Sequence, residues 1–575
     1  MKNFSQLIST NLTPPFKKSK KYYLGDWCNH NLNDDFDFKN IWDTKKKRNN
    51  DHKYLKKLFK RVIDSLSIEL NNYHKKNFTK YFWKFLIWIW LCHYLNSNYF
   101  KWKSSAINLK NKKKKLIFYY NSYNNICPKD SLSHLKYSQD SDFYNEYCFS
   151  NILQNFKGLT IKKNKKINFT PNKKNLRSQK NIFNFTKILK KICNFISLRT
   201  NKKKFVINGT FSLKNLILLC FKIKSFPIFI DEILEDKTIQ LTTLNKKDIE
   251  KRKLIKIKIK AHNDFEKYIK KSIKYEIPSF FIEDFKKNYL KIKKNIFDCN
   301  LIISSVDHYY SDLYKLWISL HKINPKTKFY AVEHGGNHSS YNWDYDYEKN
   351  ISDKFLSWNT NKKNFFSFPK LIGYKIKSSK RKKLLYVGFE NDKYMVKINE
   401  GPKSFDKLSS ITNLSKFSAS LDIKILNELI YCEKDIRDNR LKKKIEHIIS
   451  KNKFKKKGSF KKELRNAKLV ICDYPQTTYL ESLVSRPTIL LFDSKKFWSP
   501  NKNLKNIYYL LKKNQMLFDD PINAVKFINH NWSDIDLWWN SKKIRKIRKI
   551  IIDKFKIETK YDSLDSWSKF IINNL

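Results

Sequence analysis

At 575 residues the chain is too long for one hydrophobic core and implies roughly three domains, or two large ones. Its 41% hydrophobic and 15% aromatic content excludes a disordered protein. With 119 Lys+Arg against 53 Asp+Glu the net charge is +66, which suits nucleic acid, anionic lipid or phosphorylated substrates, although the wealth of Lys, Asn and Ile also fits an AT-rich coding sequence.

The N-terminal segment has no long apolar run with a cleavage site, so no signal peptide is expected. Residues 1–110 read as an N-terminal helical region. After LGDWC (Leu24 to Cys28), apolar residues recur at helical spacing from Tyr54 to Tyr73: Leu55, Leu58, Val62, Ile63, Leu66 and Ile68. An aromatic helix follows from Tyr81 to Leu95. Its most apolar window, FLIWIWLCHY, is about half of the ~20 residues that a membrane span needs, so it is expected to be a buried helix with Trp83, Trp88 and Trp90 in a core. KLIFYYN (115–121) predicts a strand, and Ser141 to Leu153 a helix. Between 160 and 260, lysine runs alternate with apolar pieces such as Leu216 to Phe221, without repeat or motif. The nine cysteines are scattered with no CxxC pair, which speaks for reduced thiols and against disulfides or a zinc site.

From Asn300 the pattern sharpens. Leu301 to Val306 predicts a strand, the following segment a helix, and Phe329 to Val332 a second strand, which together make a βαβ unit with a parallel sheet. The second strand runs into EHGGNHSS, where Gly335 and Gly336 stand side by side in a chain with only nine glycines. Adjacent glycines permit φ > 0 and close approach of backbone N–H groups to a ligand. A strand ending in such a turn is where open α/β sheets hold ligands. ISDKFLSW (351–358) predicts another buried strand, and the charged stretch Lys375 to Lys383 an interdomain linker. LLYVGF (384–389) opens a second α/β run, with a helix near Leu441 to Lys451. Ala467 to Cys472, Thr477 to Val484 and Pro487 to Phe492 form a second βαβ unit. The last predicted helix, Trp538 to Phe555, carries Ile544, Ile547, Ile550 and Ile551 as an apolar stripe. Lys542, Lys543, Arg545, Lys546, Arg548 and Lys549 alternate with it, outward cations suited to an anionic bilayer.

The chemistry concentrates in two places. DYPQTTYLESL (473–483) starts a helix with hydroxyls in its first turn, where unpaired N–H groups attract phosphate. Thr477 and Thr478 add donors there, and Glu481 lies one turn on, in reach of ribose hydroxyls. A plain N-cap reads the same residues equally well. In the glycine turn His334 is the leading catalytic candidate, because histidine suits deprotonation of an acceptor hydroxyl near neutral pH. Glu333 orients it or acts itself, His338 contacts a diphosphate, and Asp307 and His308 line the same edge. No third ligand set supports a metal site.

The motifs LGDWC, YFWKFLIWIWL, FYNEYCFSNIL, VEHGGNHSS, ISDKFLSW, AKLVICDYPQTTYLESLVSRPTILLFD and the late WWN come in an order that resembles a family. It comprises transferases of bacterial surface-carbohydrate (O-antigen type) biosynthesis, related to GT-B glycosyltransferases and more distantly to CDP-glycerol glycerophosphotransferases. The family's turn reads QHGGGYG, so Glu333 replaces Gln and Asn337 the third Gly. An Arg-bearing strand is not matched around Ile430 to Arg440, while Tyr394 and Lys397 stand where the family has Tyr and Arg. The resemblance implies an α/β, GT-B-like fold of two Rossmann-type domains facing a cleft. Its parts would be an acceptor domain at 111–374, a nucleotide-donor domain at 384–540, and a final helix at 541–575 that braces the acceptor domain. It further implies a nucleotide-activated donor held by Asp473, Gln476, Thr477, Thr478 and Glu481. The glycan or lipid-linked acceptor would lie by Gly335, Gly336, His338, Asp307 and His308, with His334 and Glu333 catalytic. No metal or other cofactor is implied. The protein is expected in the cytoplasm, peripheral on an anionic membrane surface. A nucleic-acid binder is disfavoured because the aromatics lie on apolar faces and not among the cations. An inactive scaffold of a glycan-assembly complex is the other alternative.

Overall fold

The computed structural model describes residues 5–13, 20–28, 41–42, 44–110, 116–123, 125–167, 174–175, 185–200, 203–209, 211–230, 238–335, 345–357, 365–367, 381–389, 392–398, 404–433, 438–450, 453–456, 460–475, 477–492, 504–555 and 560–575. The class is α/β, as expected. The N-terminal half holds a pair of long helices, α1 (Lys45–His74) and α2 (Lys80–Leu109), then α3 (Phe185–Arg199), α4 (Leu213–Ile223) and α5 (Asp312–His321). Thr44 and Thr79 cap the two long helices by accepting the N–H of Lys47 and Phe82, and α1 stops where Lys75 turns left-handed at φ 51°.

Two parallel sheets belong to this half. In the first, β1 (Ser5–Ile8) and β2 (Lys20–Tyr23) pair with β3 (Leu116–Tyr123) and β4 (Leu159–Ile167) in the order β2-β1-β3-β4. Residues 1–110 are therefore not purely helical, which corrects the sequence expectation. β1 is buried throughout and shows no polar–apolar alternation, and β2 is a short run of Lys and Tyr, so neither carries a period-2 signal. The second sheet joins β5 (Phe205–Asn208), β6 (Leu301–Ser304), β7 (Lys328–Val332), β8 (Lys354–Ser357) and β9 (Phe365–Ser367) side by side in chain order, all parallel. Alternate side chains of this sheet serve two cores. Ile302, Phe329, Ala331 and Phe355 face the large aromatic core that α1, α2 and α5 fill. Leu301, Ile303, Tyr330, Val332 and Leu356 face α4 and the end of the chain. Trp83, Trp88 and Trp90 lie in that aromatic core, as expected of α2.

The C-terminal half sets α6 (Ser404–Ser420), α7 (Asn439–Ile449), α8 (Thr477–Leu483), α9 (Pro521–Asn531) and α10 (Lys542–Lys554) around a third sheet. Its strands are β10 (Lys383–Val387), β11 (Leu429–Glu433), β12 (Phe454–Lys456), β13 (Ala467–Cys472), β14 (Thr488–Leu491) and β15 (Leu517–Phe518), in the order β12-β11-β10-β13-β14-β15. All pairs are parallel. This is the doubly wound 3-2-1-4-5-6 order, whose direction reverses between the first and fourth strands and leaves a crevice at their carboxyl ends. Here the crevice lies between β10 and β13.

The C-terminal helix differs from expectation in two ways. It breaks at Ser541, and the isoleucines of α10 pack within the C-terminal half, against Phe460, Leu483, Leu504 and Ile507. The element that braces the N-terminal half is the later helix α11 (Lys560–Asn574), through Leu564, Trp567 and Ile571. Lys328 and Tyr330 bond to Asn574 there. Ile550 is not part of the buried stripe, and Arg548 is half-buried with its guanidinium 4.2 Å from the Trp539 ring. Ile547→Asp should cost ~3 kcal/mol or more by burying a carboxylate, whereas Ile550→Asp should stay within about 0.5 kcal/mol. Denaturant unfolding of both variants checks this, and equal losses would mean that Ile550 is buried as deeply as Ile547.

Candidate functional site

The glycine turn follows β7, at the carboxyl edge of the second sheet. Glu333 is buried there. Its N–H donates to the Leu356 carbonyl (2.9 Å), and its Oε2 accepts from Ser357 on β8 (2.7 Å). Held in this way, Glu333 supports the turn. His334, next along, is exposed. Gly335 does not take up the left-handed conformation expected of it, since the described glycines with positive φ are Gly158 and Gly209. What it provides is closeness: a Cβ on Gly335 would lie 3.5 Å from Thr477 Oγ1, which belongs to the other half. Gly336, Asn337 and His338 lie outside the described residues.

Two neighbours expected on this edge are placed differently from one another. Asp307 is half-buried and accepts from Asn208 Nδ2 (2.7 Å), so the ends of β5 and β6 are joined there. Asn208 escaped the sequence reading, and the Asn-Gly that ends FVING was its only signal. His308 does not line the cleft and corrects the expectation. It is wholly buried, its ring between Phe329 and Tyr347, with Nδ1 3.0 Å from Ser304 Oγ.

Facing this edge is the crevice of the third sheet. Thr477, Thr478 and Glu481 are half-buried on α8, and Gln476 lies outside the described residues. Asp473, at the end of β13, is buried and takes Ser410 Oγ on Oδ2 (2.9 Å). It forms part of the crevice floor. Beside it Lys407, fully buried, contacts Glu433 Oε2 (2.6 Å) and the Phe389 carbonyl (2.8 Å). Tyr431 donates to the same Glu433 oxygen (2.5 Å). A Cβ on Gly388 would fall 2.0 Å from the Tyr431 hydroxyl, so only glycine lets β10 end against this cluster. Burial pushes the Asp473 carboxyl up to about 7, with Lys407 opposing and Glu433 adding to the shift.

A second meeting of the halves lies at the first sheet. Gly25 is required in LGDWC because the Trp27 ring occupies the space where its Cβ would stand. Trp27 Nε1 donates to the Ser9 carbonyl (2.9 Å). At the start of α7, Arg440 forks onto Asp438 (2.9 and 2.5 Å) and reaches across to the Asp26 carbonyl (2.8 Å). Burial raises the Asp26 carboxyl to about 6 against the pull of Arg440. Arg440 is thus engaged in a contact between the halves, at the place where an Arg-bearing strand went unmatched. Residues 392–398 leave β10 and embed in the N-terminal core, with Tyr394, Met395 and Ile398 buried. Lys393 and the Tyr394 hydroxyl both bind Asp142 (2.6 and 2.5 Å), and the Tyr394 N–H donates to the Gln139 carbonyl (2.9 Å).

Among the described residues no group of three or more His, Cys, Asp or Glu gathers as metal ligands. All nine cysteines are free thiols.

The sequence matches the LIC12162 family transferase profile over residues 5–571. The chain belongs to this transferase family. The match bears out the resemblance that the ordered motifs carry, and the chain is a transferase. No curated protein matches it significantly. Among solved structures it is similar to an MnaA–UDP co-structure from S. aureus, at 10% identity over 65% of this chain and 98% of that chain, with a TM-score of 0.34. It is also similar to WaaG, a glycosyltransferase involved in lipopolysaccharide biosynthesis, at 9% identity over 64% of this chain and 99% of that chain, with a TM-score of 0.28.

Asp473 gives this family member a pH signature. A carboxyl held near 7 keeps its proton in the folded chain while the unfolded chain, near 3.8, has released it. Its contribution to stability is therefore full at low pH and is lost as pH rises through about 7. Asp473→Asn stays neutral throughout. Between about pH 4 and about pH 8 the variant should gain on wild type by up to ~4 kcal/mol. Urea unfolding across that range checks it, and parallel pH profiles would show that Asp473 ionises normally.

Proposed function

We propose that this transferase moves a sugar, or a related group, from a nucleotide-activated donor onto a surface-polysaccharide precursor of the O-antigen type. The observation that carries the reading is the approach of Gly335 to Thr477, which brings the carboxyl edge of the second sheet against the crevice of the third. Donor phosphates would sit at the crevice by Thr477 and Thr478, with Glu481 toward the ribose. The Lys407–Glu433–Asp473 cluster stiffens the floor beneath them. His334, exposed on the facing turn, would take the proton from the acceptor hydroxyl as that oxygen bonds to the transferred group. The bond from that group to the donor phosphate breaks in the same step, and its electron pair leaves with the nucleotide. The proposal includes no metal or other cofactor. A lipid-linked acceptor would place the enzyme on the cytoplasmic face of a membrane. Among the described residues no helix is long and apolar enough to cross one.

His334→Ala should lower turnover by ~10²–10⁴ at an unchanged melting temperature, because the side chain is exposed and its loss opens no cavity. Near-normal turnover would remove His334 from the reaction.

Replacing Thr477 and Thr478 together by Val should weaken donor binding while leaving the fold intact. Calorimetric titration with CMP, CDP, UDP and GDP checks this and reports which base is preferred. If wild type binds none of them, or the double variant binds as well, the donor does not lie at this crevice.

A further inference from the structure

Helix α3 is assembled inside out. Ile188, Ile192, Phe195 and Ile196 recur at the spacing of one helical face, yet that face is exposed, with Phe195 at 56%. The side turned toward the protein is held mainly by polar groups, with Cys193 beside them against the core. Asn194 donates to the Phe229 carbonyl (2.9 Å) and accepts from the Phe229 N–H (2.6 Å), and Ser197 donates to the Phe226 carbonyl (2.8 Å). Hydrogen bonds therefore fasten the helix down while its apolar side meets water, the reverse of an ordinary surface helix. The neighbouring α4 adds exposed Ile217 and Phe221, the latter at 74%. Monomeric proteins rarely leave apolar side chains grouped in this way without a partner.

Cations surround the apolar residues. The Arg199 guanidinium stands 3.8 Å from the Phe195 ring, and Lys191, Lys214 and Lys224 are exposed. From Tyr147 to Ile230 the sequence has nineteen Lys and Arg and no Asp or Glu. Elsewhere acidic residues are common enough to make 53 in all, so this span is charged in one sense only.

We propose that the exposed face of α3 and α4 docks onto an anionic lipid bilayer, its Ile and Phe side chains entering the headgroup boundary while the cations bind lipid phosphates. Nucleic acid would account for the cations but not for outward isoleucines. A second copy of the chain would bring two cationic faces together with no carboxylate between them. The proposal rests on the proposed function only in that a lipid-linked acceptor makes such docking useful, and its test reads binding without transfer.

The experiment is co-sedimentation of the full chain with vesicles of mixed phosphatidylglycerol and phosphatidylcholine, and with phosphatidylcholine alone. Binding is expected to the mixed vesicles only, and to fall at high salt. Ile192→Ser with Phe195→Ser should weaken it about tenfold or more at an unchanged melting temperature, because both side chains are exposed. A separate Phe195→Trp variant keeps the face apolar, and its emission should shift to the blue on adding mixed vesicles. Three results would overturn the proposal. One is unchanged binding in the double variant combined with its loss when Lys542 and Lys546 become Gln, which would move the contact to α10. Another is tight binding to duplex RNA with no affinity for vesicles. The third is a wild-type dimer that the double variant dissolves.

Discussion

The structure depends on a short segment changing sides. Residues 392–398 belong by sequence to the third sheet, but they are buried in the N-terminal core, where Lys393 and Tyr394 converge on Asp142. A half-buried cation and a buried phenol sharing one carboxylate pin two bodies more firmly than isolated surface ion pairs, because losing the carboxylate leaves the phenol buried and without that bond. Arg440 repeats the device nearby, forked onto Asp438 and anchored on the Asp26 carbonyl. With these contacts made, the two halves are held against each other, and Thr477 lies beside Gly335. The crevice is thus a property of both halves together.

The sequence disclosed the parts of the fold whose physics is local. β13 was legible to the residue as AKLVIC, and β7 and α8 nearly so, because apolar runs bounded by turn residues mark buried parallel strands. The elements that escaped are those whose partners lie far off in the chain. β1 is short and becomes a strand by pairing with β3, about a hundred positions away, and β2 forms only at the edge that β1 then offers. His308 looked like a cleft residue because it follows a strand, and only the packing of Phe329 and Tyr347 around it shows that it is core. The orientation of the last helices was similarly out of reach. Periodicity tells that α10 has a buried side but not which body buries it, and the brace proved to be α11.

Charge is the property that composition presents most loudly and interprets least. The buried ionic clusters are nearly balanced, since Lys407 meets Glu433 with Asp473 alongside, and Lys315 meets Asp312. Burying charge is tolerable only when it is matched. The excess positive charge must therefore lie mainly on the surface, where its distribution along the sequence, and not its total, distinguishes one face from another.

The path of the chain also limits how the cleft moves. The polypeptide returns to the N-terminal half twice after entering the C-terminal half, once at residues 392–398 and again at α11. A rigid body tethered to another at two separate points cannot slide away from it, and the freedom that remains is rotation about the line through the tethers. Any opening of the cleft is then a hinge motion about one fixed axis, with its widest travel at the part farthest from both returns.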